Sequence, residues 1–313
     1  MEKIYICPNC KKARHLSVCD NCKEKTEPNN GIYDYLLKAK NNDFDEIGKK
    51  YYLYEVPEIS FEIASSLSYL ITDAKVLGLG CGTGNIAINL IQYGYSNLIC
   101  MDSSLTMLDS LNKKIEGLNV NKVILLRADA HYIPLIDESI DIVIVSNLFH
   151  LLEDSLLVLK EIYRILSPTG KLILISDATD NNYLEFGEEV DKYQGIIASY
   201  SKKYWDIMKE KKYYPKKYNT KFNPYLEANR LFSKKEVVQT KPVIYMGTKT
   251  IQDFIDNVSF KSDYDKLLIP IHIHSEVHNE VMIYLLDIYG NDIYDIRVQY
   301  KGRSVSIIDV YEK

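Results

Sequence analysis

Between residues 74 and 176, short apolar segments alternate with amphipathic ones, and this alternation constrains the fold more than any other feature. Five apolar runs are predicted as strands: 74–79, 97–101, 122–126, 140–145 and 171–175. Three segments between them have apolar residues at helical spacing: 85–93, 105–116 and 153–166. Strands that are apolar on both faces and alternate with helices are typical of a parallel sheet covered on both sides. The sequence therefore predicts an α/β fold with a doubly wound, Rossmann-like, mainly parallel sheet.

The sequence on either side of this core is less regular. Residues 32–70 are predicted to be helical, with Pro57 in a first helical turn. The tail over 293–310 predicts a hairpin that turns at Lys301-Gly302. We expect four parts: a zinc-ribbon-like cysteine module (1–30), the Rossmann-like core (31–176), an α-rich lid or substrate insertion (177–260), and a segment that completes the core (261–313).

Composition and charge exclude several classes of protein. The chain of 313 residues has a net charge of −5, so it is not as a whole a polycation built to bind nucleic acid. No apolar run approaches the ~20 residues that cross a bilayer. The N-terminus has no apolar core of a signal peptide. We expect a cytoplasmic protein with no membrane partner.

Four of the six cysteines fall within the first 22 residues, as Cys7, Cys10, Cys19 and Cys22. They form two Cys-x-x-Cys pairs, and two such pairs offer the four thiolates of a tetrahedral zinc shell. A segment this short cannot bury a core, so metal ligation would supply its folding energy. The sequence predicts a structural zinc site. Iron in a similar four-sulfur shell, or two redox dithiols, are the alternatives that the same spacing allows.

A glycine-rich loop, Gly80-Cys81-Gly82-Thr83-Gly84, joins the first core strand to the next helix. Its glycines allow a tight turn and a close approach of backbone to ligand, and the helix N-terminus offers free N–H groups. The spacing is Gly-x-Gly-x-Gly, not the Gly-x-Gly-x-x-Gly typical of dinucleotide sites. The second strand ends at Asp102-Ser103 and the third at Asp129-Ala130. A carboxylate at the end of the second strand can accept hydrogen bonds from both hydroxyls of a ribose.

Together these residues resemble the class I S-adenosylmethionine-dependent methyltransferases of the type 11/25-like group, from about residue 44 to residue 176. Two further segments carry the resemblance, 147–154 beside the methyl group and 161–172 before the fifth strand. The resemblance implies that Asp102 binds the ribose and that Asp129-Ala130 meets the adenine. The residues it assigns to S-adenosylmethionine are Gly80, Cys81, Gly82, Gly84, Asp102, Ser103, Asp129, Ala130 and Asn147. One departure is Gly78, where the family usually has an acid that orients the methionine ammonium group.

The acceptor is less constrained than the cofactor. Methyl transfer is an in-line displacement for which the enzyme mainly aligns the nucleophile, and deprotonates it where needed. His150, after the fourth strand, is the candidate general base, and a packing role or a place beside the adenine is the alternative. Residues 192–241 contain 13 Lys/Arg, four Asp/Glu and seven tyrosines. This composition suits single-stranded nucleic acid or an anionic small molecule under a lid; the alternative is a solvated cap with an aromatic core of its own.

Three functions follow from these observations. The first is a methyltransferase for a small-molecule or peptide acceptor, with the insertion as a lid. The second is an RNA methyltransferase in which the zinc module and the basic insertion grip the RNA. The third is a non-catalytic, cofactor-binding scaffold, which the missing acid at Gly78 motivates.

Overall fold

A computed structural model gives the fold. It describes residues 3–36, 45, 55–118, 120, 122–177, 183–186, 190–213, 223–253, 255, 269, 271–294 and 297–313. The strands are β1 (Tyr5–Ile6), β2 (Ala13–Arg14), β3 (Ile32–Asp34), β4 (Val76–Leu79), β5 (Leu98–Asp102), β6 (Val123–Arg127), β7 (Ile140–Ser146), β8 (Leu166–Asp177), β9 (Tyr183–Phe186), β10 (Ser233–Gln239), β11 (Val243–Thr250), β12 (Arg297–Ser304) and β13 (Ser306–Glu312). The α-helices are α1 (Pro57–Leu67), α2 (Asn85–Gln92), α3 (Leu105–Glu116), α4 (Ser155–Ile165), α5 (Val190–Glu210), α6 (Pro224–Leu231) and α7 (Ile271–Tyr289).

The chain divides into two compact units. The first unit contains residues 1–178, 221–241 and 305–313, and the second contains 179–220 and 242–304. The cysteine module therefore belongs to the same unit as the Rossmann-like core. The segment that we predicted as one insertion, 177–260, is shared between the two units, because β10 joins the sheet of the first.

The first unit is built on an eight-stranded sheet with the order β10-β13-β8-β7-β4-β5-β6-β3. The strands from β3 to β8 in this order pair in parallel, whereas β13 pairs antiparallel with both β8 and β10. Strand β4 lies between β5 and β7, so the chain winds outward from it in both directions. The carboxyl end of β4 is thus the topological switch point, where open α/β sheets bind their ligands. This architecture confirms the predicted fold class.

Alternation of side chains along the strands explains why helices cover both faces of this sheet. In β7, Val143 and Val145 pack into one apolar cluster, whereas Ile142 and Ile144 pack into the other. Helix α4 covers the first cluster, and α1, α2 and α3 cover the second. A strand that is apolar on both faces cannot lie at a solvated surface, so the doubly wound arrangement follows from the sequence.

Residues 32–70 were predicted to be helical, and this prediction was wrong for the first residues of the segment. Residues Ile32–Asp34 form β3, which pairs in parallel with Leu125–Arg127 at the edge of the sheet. Ile32 is buried there, and three residues are too few to show a period of two. Residues 37–44 and 46–54 of the predicted helix lie outside the described residues. Helix α1 begins at Pro57, the expected first-turn position.

The predicted hairpin at the end of the chain was also wrong. Strands β12 and β13 are consecutive in sequence, but β12 pairs with β9 and β11 in the second unit, and β13 pairs with β8 and β10 in the first. Gly302 lies within β12, not in a turn. A Cβ atom at Gly302 would lie 2.1 Å from the Tyr245 ring of the neighbouring strand, so the glycine makes room for an aromatic side chain.

The second unit has a core of its own, formed where α5 and α7 pack together. The Tyr204 hydroxyl lies 2.8 Å from Nδ1 of His274, and the Tyr200 hydroxyl lies 2.9 Å from Nδ1 of His278. Both tyrosines are fully buried. A three-stranded antiparallel sheet, β11-β12-β9, completes this unit. Within the described parts of both units, every helix is too short or too polar to cross a membrane.

Candidate functional site

The glycine-rich loop follows β4 at the switch point, and its three glycines adopt left-handed backbone angles. Their φ angles are +66° at Gly80, +55° at Gly82 and +80° at Gly84. A Cβ atom would lie 2.7 Å from the Leu148 side chain at Gly80, and 2.1 Å from Leu111 at Gly84. At Gly82 such an atom would meet no described residue within 4 Å. Two glycines are therefore required by packing, and the third leaves open space where a ligand can approach the backbone.

Backbone hydrogen bonds fix this loop against the second core strand. The N–H groups of Gly80 and Cys81 both donate to the Met101 carbonyl, at 2.8 and 3.1 Å. Helix α2 then begins at Asn85 without a side-chain cap on its first turn. An uncapped helix N-terminus presents N–H groups and a positive dipole end to an anionic group of a ligand.

Asp102, at the end of β5, joins the loop to the start of α3. One carboxylate oxygen accepts from the Gly82 N–H at 2.9 Å, and the other accepts from the Ser104 N–H at 2.9 Å. Burial raises the pKa of this carboxyl, and the two N–H donors counteract part of that increase. The neighbouring Ser103 carbonyl accepts from Nε of Arg127 at 3.1 Å. The predicted ribose acid is thus held rigidly beside the middle glycine of the loop.

Asp129, two residues after β6, caps the short 3₁₀ helix Ala130–Tyr132. One of its carboxylate oxygens accepts from the His131 N–H at 2.9 Å and lies 2.7 Å from Nδ1 of the same histidine. The carboxylate raises the pKa of His131 through this hydrogen bond. On its other side, Nε2 of His131 accepts from the Asp154 N–H at 3.3 Å. His131 therefore links the predicted adenine acid to the start of α4, a role that sequence reasoning missed.

The segment after β7 carries Asn147 and His150. Asn147 has a φ of +50°, and the turn it makes places Leu148 against Gly80 of the loop. His150 lies in the short 3₁₀ helix Phe149–Leu151 with its side chain exposed. Although the residue is exposed overall, the neighbouring protein desolvates part of its ring and lowers the pKa of His150, which favours the neutral imidazole. This form can accept a proton, and the role as general base stays a prediction.

Gly78 lies in β4 next to two thiols. A Cβ atom at Gly78 would lie 3.8 Å from Cβ of Cys81, an ordinary van der Waals distance. The backbone therefore does not require glycine at this position. The hydrogen bond with the Cys100 thiol, together with burial, raises the pKa of Cys81 well above its ordinary value. Cys81 is accordingly a neutral, weakly nucleophilic thiol in the loop.

Glu55 and Lys114 also meet at the loop, and sequence reasoning missed both. The Thr83 hydroxyl donates to the Glu55 carboxylate, and Nζ of Lys114 donates to both oxygens of Glu55 at 2.8 and 3.1 Å. Lys114 also donates to the side-chain oxygen of Asn85 at 3.1 Å. This half-buried network joins α3, the loop and the segment before α1. Glu55, the loop and Lys114 are too far apart in sequence for a local pattern to predict that they meet.

The loop that follows Asp129 is held by α4. Glu161 accepts from the Ile133 N–H at 2.9 Å, and the Arg164 guanidinium donates to the carbonyls of Ile133 and Leu135 at 2.9 and 2.7 Å. Arg164 also forms ion pairs with Glu161 and Asp137, both at 2.8 Å. Glu161 and Arg164 lie in the 161–172 segment that carries the family resemblance. No sequence pattern indicated that these two residues bind this loop.

The four N-terminal cysteines converge as predicted. Their sulfur atoms all lie within 4.8 Å of one another, with 3.5 Å between Cys7 and Cys22 and 3.6 Å between Cys10 and Cys19. A tetrahedral zinc shell with Zn–S distances of about 2.3 Å requires sulfurs about 3.8 Å apart. The donor set and its spacing fit a zinc ion.

The two cysteine pairs repeat one backbone pattern. Cys7 N–H donates to the Lys12 carbonyl and Cys19 N–H to the Glu24 carbonyl, at 2.8 and 2.9 Å. In each pair the residue after the second cysteine, Lys11 or Lys23, has a φ near +60°. A backbone hydrogen bond from Lys12 lowers the pKa of Cys10 to about 6. Metal ligation needs thiolates, so N–H donors aimed at the sulfurs suit a metal-binding knuckle.

Comparisons with known proteins agree with this geometry. Residues 77–174 match the methyltransferase domain family. The demethylmenaquinone methyltransferase of Lactobacillus johnsonii is 40% identical over 130 residues, which are 40% of this chain and 52% of that protein. An uncharacterised methyltransferase of Schizosaccharomyces pombe is 37% identical over 109 residues, 35% of this chain and 41% of that protein. The chain thus spans about half the length of the curated relatives it matches, or less.

Solved structures that resemble the chain include a methyltransferase homologue from Bacillus halodurans. It has a TM-score of 0.43 and 16% identity, and the alignment covers 80% of this chain and 98% of that one. A second, an S-adenosyl-L-methionine-dependent methyltransferase homologue from Methanococcus maripaludis, has a TM-score of 0.36 and 25% identity, over 44% of this chain and 66% of that one.

The sheet order defines a Rossmann-like domain, and its switch point carries the glycine loop and the two strand-end acids that the sequence predicts to bind the cofactor. Residues 77–174 of this domain match the methyltransferase domain family, in agreement with the resemblance of the sequence to class I S-adenosylmethionine-dependent methyltransferases. This confirms the family that the sequence resembles.

Proposed function

We propose that the chain transfers a methyl group from S-adenosylmethionine to a small-molecule or peptide acceptor. The observation that carries this proposal is the position of Asp102, whose carboxylate bridges the Gly82 and Ser104 N–H groups at the switch point. S-adenosylmethionine supplies a methyl group already activated on a sulfonium. The protein then has to bind the cofactor, align the acceptor and, for a protonated nucleophile, accept a proton.

Each of these tasks has a candidate residue. Asp102 would accept hydrogen bonds from the ribose hydroxyls, and Asp129 with the Ala130 N–H would meet the adenine. The open backbone at Gly82 would lie against the cofactor. His150, whose neutral form is favoured, would take the proton of the acceptor. Cys81, Ser103 and Asn147 would complete the walls of the cofactor cleft.

The charge and burial of the basic stretch support a small acceptor over RNA. Tyr200, Tyr204 and Phe232 are buried, so these rings serve packing and do not offer stacking platforms. Lys211 is neutralised by ion pairs with Glu276 and Glu280 on α7. The relative from L. johnsonii is named for a small-molecule acceptor, demethylmenaquinone. Residues 192–241 therefore have fewer rings and positive charges available to bind a nucleic acid than their composition suggests.

Transfer of a labelled methyl group tests the acceptor class. The protein is incubated with methyl-labelled S-adenosylmethionine and a cell extract separated into small-molecule, protein and RNA fractions. We expect label in the small-molecule or protein fraction, and much less of it with the Asp102→Ala variant at a cofactor concentration that does not saturate this variant. Label in RNA would instead establish the RNA methyltransferase alternative. Cofactor binding without transfer to any fraction would favour the scaffold alternative, which the absence of an acid at Gly78 motivates.

We also propose that Cys7, Cys10, Cys19 and Cys22 hold one structural zinc ion. Four protein ligands leave no open coordination position, so the metal would stabilise the fold and take no part in the chemistry. Metal analysis of protein purified without chelator should give about one zinc per chain. Replacing the buried Cys19 with alanine should remove the metal, whereas replacing Cys81 with alanine, the matched control outside the cluster, should leave it bound. Iron in place of zinc, or no metal in the wild type, would contradict the proposal.

A further inference from the structure

We propose that the metal-bound cysteine module sets the affinity for S-adenosylmethionine, because its first strand holds the loop that follows the adenine acid. The inference rests on the proposed function, since it takes Asp129-Ala130 as the adenine site. It concerns a positioning role for the segment Ile4–Ile6, which lies directly before the first metal ligand, Cys7.

The contacts between this segment and the loop are backbone hydrogen bonds. The Ile6 N–H donates to the Pro134 carbonyl at 2.9 Å, and the Ile136 N–H donates to the Ile4 carbonyl at 2.8 Å. Tyr5, between them, forms an antiparallel bridge with Leu135. The start of the chain thus adds a short strand to the loop, five residues after Asp129.

The loop has two partners, which bind alternate residues. Its odd-numbered residues, Ile133 and Leu135, are bonded to Glu161 and Arg164 of α4. Its even-numbered residues, Pro134 and Ile136, are bonded to the N-terminal segment. An extended backbone directs successive peptide groups to opposite sides, so removing one partner leaves one whole side of the loop without its bonds.

The cysteine cluster determines whether that partner is present. Cys7 continues directly from β1, and its N–H donates to the Lys12 carbonyl within the first knuckle. The buried Arg14 guanidinium donates to the Leu16 carbonyl and to the Thr26 hydroxyl, and it lies 5.4 Å from the centre of the Tyr35 ring. Without metal, this short module loses the ligation that folds it, and β1 loses its anchor.

Apolar packing connects the same parts. Tyr5 and Leu16 of the module are buried in one cluster with Ile133 and Leu135 of the loop. Tyr35, directly after β3, and Ala128, just before Asp129, belong to the same cluster. Folding of the cysteine module and ordering of loop residues 133–136 are therefore coupled. Coupling of this kind is reciprocal: if the metal tightens cofactor binding, the cofactor must tighten metal binding by the same factor.

The test compares two variants of one residue in the zinc-loaded protein. Ile6→Pro removes the N–H that donates to Pro134, whereas Ile6→Ala keeps this N–H and shortens a half-buried side chain. Calorimetry with S-adenosylhomocysteine should give a dissociation constant raised by about 5–150-fold for Ile6→Pro, the usual span of coupling between sites. Ile6→Ala should bind as the wild type does. Zinc content is measured for each variant to show that the metal is retained.

The reciprocal measurement needs no substitution. Zinc is titrated away from the wild type with a competing chelator, with and without saturating S-adenosylhomocysteine, and the ligand should tighten the apparent zinc affinity several-fold. Unchanged ligand affinity in folded, zinc-loaded Ile6→Pro would overturn the inference, as would zinc affinity indifferent to the ligand. A wild type that binds no S-adenosylhomocysteine would instead overturn the proposed function, so the two failures are distinguishable.

Discussion

Replacing Asp102 with alanine should weaken the binding of S-adenosylhomocysteine by about 10–150-fold. In the proposed function the carboxylate accepts hydrogen bonds from the ribose, and a hydrogen bond to a charged group contributes about 1.5–3 kcal/mol. Its present partners, the Gly82 and Ser104 N–H groups, would also lose their acceptor, so the glycine loop would be less well ordered. Calorimetry on the purified variant measures the effect.

Asp141→Ala is the matched control for this substitution. The Asp141 carboxylate accepts from the Lys75 N–H at 2.8 Å, so it also makes a backbone hydrogen bond beside β4. It lies at the amino end of β7, at the edge of the sheet opposite to the switch point. The control should retain wild-type affinity. An equal loss of S-adenosylhomocysteine affinity in the two variants, or no loss of affinity in Asp102→Ala, would refute the assignment of Asp102 to the ribose.

Replacing Gly84 with alanine should reduce the free energy of unfolding by about 2–5 kcal/mol. The left-handed backbone at φ = +80° costs a residue with a side chain roughly 1–2 kcal/mol. The new Cβ would also lie 2.1 Å from Leu111, which is fully buried and has little room to move, and overpacking adds about 1–3 kcal/mol. Denaturant unfolding of the variant measures the sum.

Gly94→Ala separates these two contributions. Gly94 has a similar φ of +92°, but a Cβ atom there would meet no described residue within 4 Å. The control should therefore lose only the conformational part, about 1–2 kcal/mol. If both variants lost the same free energy, the contact between the loop and α3 would not be as close as the structure places it.

Patterns with a regular period were predictable from the sequence. Helix α3 begins and ends where its apolar spacing indicated, and α2 and α4 differ from prediction by two residues or fewer at either end. Strands β4 to β7 are apolar on both faces, which left a parallel sheet as the consistent arrangement. The acids Asp102 and Asp129 could be placed at one edge because the carboxyl ends of parallel strands lie together.

Features that depend on contacts distant in sequence were not predictable. The three residues of β3 are too few to show a period, and their position depends on pairing with β6. Lys301-Gly302 was interpreted as a turn because it separates two strand-like runs by two residues that include a glycine. In the structure Gly302 lies within β12 and makes room for Tyr245. The tyrosines at 200 and 204 are spaced by four residues, a spacing that a stacking surface and a helix interface share.

The candidate site also combines features that local sequence patterns predicted with contacts that they did not predict. Its glycines and acids belong to local motifs, so they could be named by position, and their roles stay predictions. The Glu55–Lys114 pair, the hydrogen bond from the Asp154 N–H to His131, and the strand that the cysteine module adds to the loop after Asp129 all join segments far apart in sequence. No pattern within one segment specifies which distant segment it contacts, because these contacts form only when the whole unit folds.

Binding of S-adenosylhomocysteine to the wild-type protein, compared with binding of NAD, tests the account most directly. Both ligands contain an adenosine, so both could occupy a Rossmann-like cleft, and only their remaining groups differ. We predict one S-adenosylhomocysteine per chain, bound more tightly than NAD, because the loop has the Gly-x-Gly-x-Gly spacing and not the dinucleotide one. Tighter binding of NAD, or no binding of S-adenosylhomocysteine, would contradict the proposed function.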